Sequence, residues 1–192
     1  MGAEAFWFGY DEDPMTEPIR FGTDWSTPPL TDWRRWCERS NPGSGYYENS
    51  PADDPYDTKE TFPSSLDENG QPRAVKLLWG RDFSGTGDYK YIDGFGFRKI
   101  ALKHGWTTTD IADTAEALTV GDKEQNPSVA GRWEFHGPPY SPVNPVANPN
   151  AQCQRTVVVD TDRRGSEPGP REIVTSFGDV INREELGLPP KR

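Results

Sequence analysis

Residues 89–121, YKYIDGFGFRKIALKHGWTTTDIADTAEALTVG, carry the clearest structural signal in the chain. Phe97 and Ile100 recur at helical spacing, and this pattern predicts a helix over residues 97–104. Gly105 stands where many helices end, because glycine adopts the left-handed backbone that follows a helix without strain. The stretch therefore begins with a short helix that has a defined end.

A second helix is predicted immediately afterwards, within TTTDIADTAEALTVG at 107–121. Ile111, Ala115 and Leu118 fall at i, i+4 and i+7, and a threonine precedes them as an N-cap. Each helix then has one apolar face, which must be buried against another element. We expect Ile100 and the three apolar residues of the second helix to pack on strands. Those strands lie near residues 133, 157 and 174.

Three strands are predicted after the helices, from apolar runs that are bounded by Gly and Pro. They are GRWEFHG at 131–137, CQRTVVVDTD at 153–162 and REIVTSFG at 171–178, and the tail at 182–192 is expected to be a short helix or coil. The predicted fold class is therefore α+β, with two N-terminal helices packed on a small antiparallel sheet. A loop-rich leader with a short helix precedes this domain.

The leader comprises residues 1–88 in this interpretation, and the α+β domain comprises residues 89–192. The leader has two strand-like runs, EAFWFGY at 4–10 and AVKLLWG at 74–80, and a short predicted helix in PLTDWRRWCERS at 29–40. Residues 43–72 are rich in Pro, Ser, Asp and Glu. This composition offers little apolar surface for a core and predicts a surface loop or linker.

The composition narrows the class of protein. Hydrophobic residues make up 32% of the 192 and aromatic residues 12%, so we expect a core of a few large side chains instead of full disorder. With 19 Gly and 19 Pro, a helical bundle is disfavoured. No run approaches the length of a membrane span, and the start lacks a Sec signal. We expect a protein that has no membrane partner and is secreted, or delivered into a target cell, by a specialised system.

Charge and cysteine content limit the possible partners. Residues 1–90 carry 9 basic and 17 acidic side chains, whereas residues 91–192 carry 12 and 14. The near-neutral half can present a local basic patch to nucleic acid, and the acidic half cannot. Cys37 and Cys153 lack metal-site spacing, and the sequence leaves open whether they are bridged or free. No metal or other cofactor is expected.

The chain has two histidines, His104 and His136. His104 ends the first predicted helix, where Lys99 and Lys103 are four residues apart and share a face. RNA cleavage without metal needs a base for the 2′-hydroxyl, cations for the phosphorane and an acid for the leaving 5′-oxygen, and a Lys-His pair supplies two of these. Alternatively, the helix dipole favours His104 at a C-terminus and the lysines form a solvated face.

The segments FRKIALKHGW, CQRTVVVDTD and REIVTSFG, in this order, resemble the barnase, EndoU, colicin and RelE group of ribonuclease domains that end bacterial polymorphic toxins. In that group a helix with a Lys-His or His element packs on an antiparallel sheet. The closing strand of that sheet carries Ser or Thr two places before an aromatic residue. Here this element is Thr175-Ser176-Phe177, and the similarity covers residues 89–180.

The resemblance implies a metal-independent endoribonuclease toxin that cleaves RNA, with tRNA as one candidate, by attack of the 2′-hydroxyl. It makes His104 the general base, Lys103 the phosphate clamp and Thr175 the hydroxyl that orients the scissile phosphate. Arg155 and His136 are further catalytic candidates, as a cation and as the acid. The substrate-binding candidates are Lys99, Ser176 and Phe177, the last by stacking on a base. The resemblance also implies a cognate immunity protein as partner.

Two alternative functions fit the same sequence. The first is an acidic protein-binding module of immunity or adaptor type, and its interaction surface would comprise Trp7, Trp25, Trp33 and Trp36. The second is an ADP-ribosyltransferase toxin, for which the Glu-x-Glu turn is missing from the sequence. A ribonuclease should bring His104, Lys103 and Thr175 to one solvent-accessible cleft. A His104 ring that is buried among apolar side chains, or that faces away from Thr175, would favour the binding module.

Overall fold

The computed structural model describes residues 5–6, 19–20, 33–46, 54–66, 71–81, 94–144, 147–160 and 171–190. Its two α-helices are α1 (Gly96–Lys103) and α2 (Thr108–Val120), and Trp33–Arg35 form a 3-10 turn. The strands within these ranges are β1 (Ala5–Phe6), β2 (Ile19–Arg20), β3 (Thr58–Leu66), β4 (Pro72–Leu78), β5 (Asp122–Gln125), β6 (Arg132–His136), β7 (Cys153–Asp160) and β8 (Arg171–Val180). Of the strand predicted at 4–10, only β1 lies within the described residues. The turn predicted at 163–170 lies outside them.

Six of the strands form one mixed sheet in the order β3-β4-β8-β7-β6-β5, while β1 and β2 pair with each other. All neighbours in the large sheet are antiparallel except β4 and β8, which are parallel. The parallel pairing joins Val75 to Arg171 and Lys76 to Glu172. A parallel pair requires a long crossover connection, and both helices lie in the chain between these two strands.

The predicted fold class is wrong in two respects. The helices do not precede the sheet, because β3 and β4 come before them in the chain. The sheet is not small and antiparallel, because it has six strands and one parallel pair. The sequence predicts a strand at 74–80, but an apolar pattern does not show which strand will be its partner. In the structure this segment is β4, and it joins β3 to the strands that follow residue 88.

The prediction of a loop or linker over 43–72 is wrong for β3. This strand has the sequence TKETFPSSL and lies at one edge of the sheet, where Phe62 is buried. Edge strands tolerate charged residues and proline, because one side of their backbone needs no ladder partner. The same reason explains why β5, with the sequence DKEQ at the opposite edge, was not expected from the sequence.

Both predicted helices are confirmed, with the expected ends. His104 is the C-cap of α1, and Gly105 follows with φ 84°, in the left-handed region where glycine is favoured. Thr107 caps α2 in a reciprocal capping box with Asp110. No helix in the described ranges is long and apolar enough to cross a membrane.

The helices pack on the sheet largely through the predicted side chains. Ile100 and Leu118 are buried, and Ile111 and Ala115 pack partly buried against the same cluster. The sheet contributes residues that alternate along its strands, which are Phe62, Val75, Leu77, Phe135, Val157, Val159 and Ile173. The last strand was expected to contact the helices near residue 174, and the residue that does so is Ile173. Val174 lies in a second cluster, with Leu78, Phe95, Val158 and Phe177.

A disulfide joins Cys37 to Cys153, across a sequence separation of 116. The two cysteines, which the sequence left as either bridged or free, are therefore bridged. On the chain-entropy model, a bond that closes so long a loop stabilises the fold by roughly 4 to 5 kcal/mol. The predicted helix at 29–40 is a single 3-10 turn in its described part, and Trp33 and Trp36 pack partly buried around the disulfide.

The core arrangement predicts different outcomes for two apolar residues of α2. Replacing Leu118, which is 1% exposed, with Ala should lower the free energy of unfolding by about 2 to 5 kcal/mol. Val120→Ala serves as the control, because Val120 is 63% exposed. Urea denaturation followed by tryptophan fluorescence measures both changes, and equal losses would contradict this packing.

Candidate functional site

Two helix ends and two strand ends meet at one place in the fold. α1 ends at His104 and α2 starts after Thr107, while Cys153 at the start of β7 pairs with Val180 at the end of β8. Residues 33–46 lie against this junction and are called the 33–46 segment below. Its backbone binds the helix connection, since the Gly43 amide donates to the Ala101 carbonyl at 2.7 Å and the Trp106 amide to Ser44 at 2.8 Å.

The His104 cluster consists of Glu38, His104, Phe177 and the backbone amide of Gly178. Nδ1 of His104 is hydrogen-bonded to Oε1 of Glu38. The imidazole stacks on the Phe177 ring with 5.5 Å between centroids. Oε2 of Glu38 accepts a hydrogen bond from the Gly178 amide at 3.2 Å. One carboxylate thus holds a histidine ring and a strand amide together.

The edge of β8 explains how Glu38 reaches Gly178. The pairing between β4 and β8 involves Arg171 and Glu172, at the opposite end of β8. The Gly178 amide near the C-terminal end of β8 therefore lies beyond the β4 pairing, and Glu38 accepts its hydrogen bond. A Cβ atom at position 178 would overlap the carbonyl of Cys37, so glycine permits this close approach.

The Arg155 cluster adjoins the His104 cluster and consists of Arg39, Ser40, Asp110, Asp113 and Arg155. Nη2 of Arg155 lies 2.8 Å from Oδ1 of Asp110 and 3.4 Å from Asp113. Ser40 donates to Asp110, and Arg39 pairs with Asp113. Arg155 is opposite Gly178 in the β7–β8 register, which places the two clusters side by side.

Arg155 has unused hydrogen-bonding capacity. Its side chain is 2% exposed, and its Nε and Nη1 atoms have no hydrogen-bond partner among the residues that the structure describes. Buried donors of this kind cost about 1 to 3 kcal/mol when they remain unpaired. A guanidinium with free donors is suited to bind a second anion in addition to Asp110.

Electrostatic interactions favour the ionised forms of Asp110 and Arg155. Burial by itself would raise the pKa of Asp110, but Arg155 and the hydrogen bonds from Ser40 and Thr107 outweigh it and hold the pKa below its usual value. Burial would lower the pKa of Arg155, but Tyr140, Glu38 and Asp110 raise it. Burial raises the pKa of Tyr140 well above its usual value. Glu38 is therefore within electrostatic reach of Arg155.

The predicted site residues are enclosed in the fold. His104 is 5% exposed, and the others from the helix and the two strands are equally buried, namely Lys99, Lys103, Arg155, Thr175, Ser176 and Phe177. The expectation that His104, Lys103 and Thr175 share a solvent-accessible cleft is therefore wrong for this conformation, since all three side chains are buried. His104 contacts Glu38 and stacks on Phe177, and Arg155 lies opposite Gly178, whose amide binds Glu38. Ser176 instead hydrogen-bonds Thr114 of α2 at 2.8 Å.

His136 lies apart from His104, on β6, which is two strands away from β8. Its Nδ1 atom is 3.2 Å from the Thr156 hydroxyl, and its Nε2 atom is 3.5 Å from Glu134 and 3.8 Å from Glu124. The two glutamates are opposite each other in the β5–β6 register. These three side chains have the ligand types for a divalent cation, and an imidazolium between two carboxylates would satisfy them equally well.

Sequence reasoning missed the two carboxylates that organise the site. Asp110 follows Thr107 by three residues, so the capping-box pattern gave a signal for its position. Glu38 gave no comparable signal. It belongs to a segment that was assigned to the leader, and its position depends on the Cys37–Cys153 disulfide, which the sequence left open.

No protein-family model, curated protein or solved structure matches the chain. The likeness to toxin ribonucleases thus depends on the short motifs quoted above.

The lowered pKa of Asp110 predicts a pH-dependent contribution to stability. A carboxylate whose pKa is depressed by folding stabilises the native state above its unfolded pKa of about 4, and this contribution is lost as the pH falls through the folded pKa. Asp110→Asn should therefore destabilise the protein by about 3 kcal/mol at pH 7, where it leaves Arg155 buried without its nearest carboxylate.

Urea denaturation between pH 7 and pH 2 tests this expectation, with the exposed Asp122→Asn as control. The difference between the Asp110 variant and the parent should shrink below pH 4. A difference that is independent of pH would contradict the assigned role of Asp110.

Proposed function

We propose that this protein is a metal-independent endoribonuclease toxin whose site is built around His104, Arg155 and Phe177. One observation carries the proposal. The three residues meet at one junction: His104 binds the Glu38 carboxylate and stacks on Phe177, while Arg155 lies opposite Gly178, whose amide binds the same carboxylate. Their chain positions are far apart, so their meeting is a property of the fold and not of local sequence.

The groups around Glu38 are those that bind phosphate oxygens. Phosphate is recognised by backbone amides, by guanidinium groups and by imidazole, and these correspond to Gly178, Arg155 and His104. Arg155 also has two buried donors available for a second anion. The position of the Glu38 carboxylate therefore marks an anion site inside a chain whose net charge is −10.

The proposed reaction follows from these groups. His104 takes the proton of the 2′-hydroxyl, the 2′-oxygen attacks the adjacent phosphorus, and Arg155 neutralises the negative charge of the phosphorane. The P–O5′ bond breaks, and the 5′-oxygen takes a proton from solvent water. The proton on His104 then returns to solvent, which restores the base. The products are a 2′,3′-cyclic phosphate and a 5′-hydroxyl. Phe177, which stacks on His104, is suited to stack on a base once that ring moves.

The remaining predicted residues have less defined roles in this proposal. Lys103 and Lys99 lie on α1 and are buried, one and five residues before His104 in the chain. We assign no role to His136, because it lies two strands away and is held between Thr156 and two glutamates. A cognate immunity protein and delivery into a target cell are part of the same proposal.

A second candidate function is the acidic protein-binding module. The net charge of −10 and the burial of His104 favour it. However, His104 contacts a carboxylate and is not surrounded by apolar side chains alone. Trp33 and Trp36 are partly used in packing around the disulfide, and Trp7 and Trp25 lie outside the described residues.

Cleavage of RNA in the presence of EDTA tests the proposal. Purified protein, assayed in oxidised and reduced forms, should cleave total RNA to products that end in a cyclic phosphate. His104→Gln should lower the rate by roughly 10² to 10⁴. Glutamine is preferred to alanine here, because its amide can still hydrogen-bond the buried Glu38.

Lys123→Ala, which removes a cation from β5, is the control and should cleave at the parental rate. Circular dichroism confirms that each variant folds. Absence of cleavage by folded parental protein in both redox forms would reject the ribonuclease and favour the binding module.

A further inference from the structure

The 33–46 segment covers the proposed site and supplies the carboxylate that fills it. Its backbone is bonded to Ala101 and Trp106, on either side of His104. Its side chains enter both polar clusters, since Glu38 binds His104, Arg39 pairs with Asp113 and Ser40 binds Asp110. A substrate phosphate cannot reach His104 while these contacts exist.

The covalent anchor of the segment is adjacent to Glu38. Cys37 is bonded to Cys153, two residues before Arg155 on β7. The Cys37 carbonyl also accepts a hydrogen bond from the Tyr140 hydroxyl at 2.6 Å. The disulfide therefore fixes the main chain of Glu38 within reach of Arg155, His104 and the Gly178 amide.

We propose that the 33–46 segment is a built-in inhibitor of the His104 site, with Glu38 in the place of the substrate phosphate and the Cys37–Cys153 disulfide as its lock. This inference rests on the proposed ribonuclease function. Thiol–disulfide exchange with two cellular thiol groups breaks the Cys37–Cys153 bond. The two cellular thiols form a disulfide with each other, and their protons pass to the sulfurs of Cys37 and Cys153. Glu38 then competes with phosphate as an untethered group.

The redox state of the surrounding compartment determines whether this disulfide is closed or open. Disulfides persist outside cells and are reduced in the cytosol. The closed form is therefore the form that would exist during export, and the open form is the one that would meet RNA in a target cytoplasm. In the producing cytosol, which is also reducing, protection would fall to the cognate immunity protein of the ribonuclease proposal.

Cleavage of a short single-stranded RNA by the oxidised and the reduced protein is the first test. Reduction should raise the rate by about tenfold or more, because only the open fraction of the molecules binds substrate. Because reduction removes a stabilising bond, circular dichroism must show that the reduced protein is folded.

The variant Glu38→Gln distinguishes the effect of the carboxylate from the effect of the disulfide, because it removes the negative charge and keeps the Cys37–Cys153 bond. In the oxidised state this variant should cleave faster than the parent, by about tenfold or more. Glu116→Gln is the matched control, since Glu116 is exposed on α2 and outside both clusters. Equal and measurable cleavage rates for oxidised parent, oxidised Glu38→Gln and reduced parent would overturn the inference and leave the ribonuclease proposal intact.

A readout that needs no cleavage keeps the two proposals distinguishable. The imidazole resonances of His104, followed by NMR during titration with inorganic phosphate, should shift in the reduced protein and not in the oxidised one. If they shift in this way and no form cleaves RNA, the ribonuclease proposal fails and the lock stands. If they respond identically in both redox forms, the lock is overturned.

Discussion

The disulfide between Cys37 and Cys153 is the constraint on which the junction of helices and strands depends. It holds a segment from the first part of the chain against the start of β7, and it brings Glu38 to the outer edge of β8. The amide of Gly178 would otherwise lack a strand partner there, and the carboxylate satisfies it. A covalent bond and a buried charge thus complete an edge that the sheet itself leaves open.

In the Arg155 cluster each cation has a carboxylate, since Arg155 pairs with Asp110 and Arg39 with Asp113. Asp110 and Arg155 are 0% and 2% exposed, and their pairing ties the first turn of α2 to β7. Such pairs contribute little net stability compared with apolar packing, but the loss of one partner is costly. The geometry of the junction is therefore specified strictly. The proposed anion site is part of the same arrangement.

The sequence was informative where a local pattern determines structure. The ends of both helices followed from Gly105 and Thr107, and the apolar spacing of α2 identified Leu118 as a core residue. The pairing of strands that are far apart in the chain is not determined by any local pattern of residues. β3 contains charges and Pro63 because it is an edge strand, and its composition therefore resembles that of a loop. Glu38 could not be found from spacing, because a long-range covalent bond positions it.

Amide hydrogen exchange in the oxidised and reduced protein tests most directly whether the disulfide holds the 33–46 segment over His104. Three amides report on docking, those of Gly43, Trp106 and Gly178, since each is bonded across the junction. Reduction should lower their protection while the amides of the central strand β7 retain theirs. Unchanged protection of all three amides in folded, reduced protein would contradict the account.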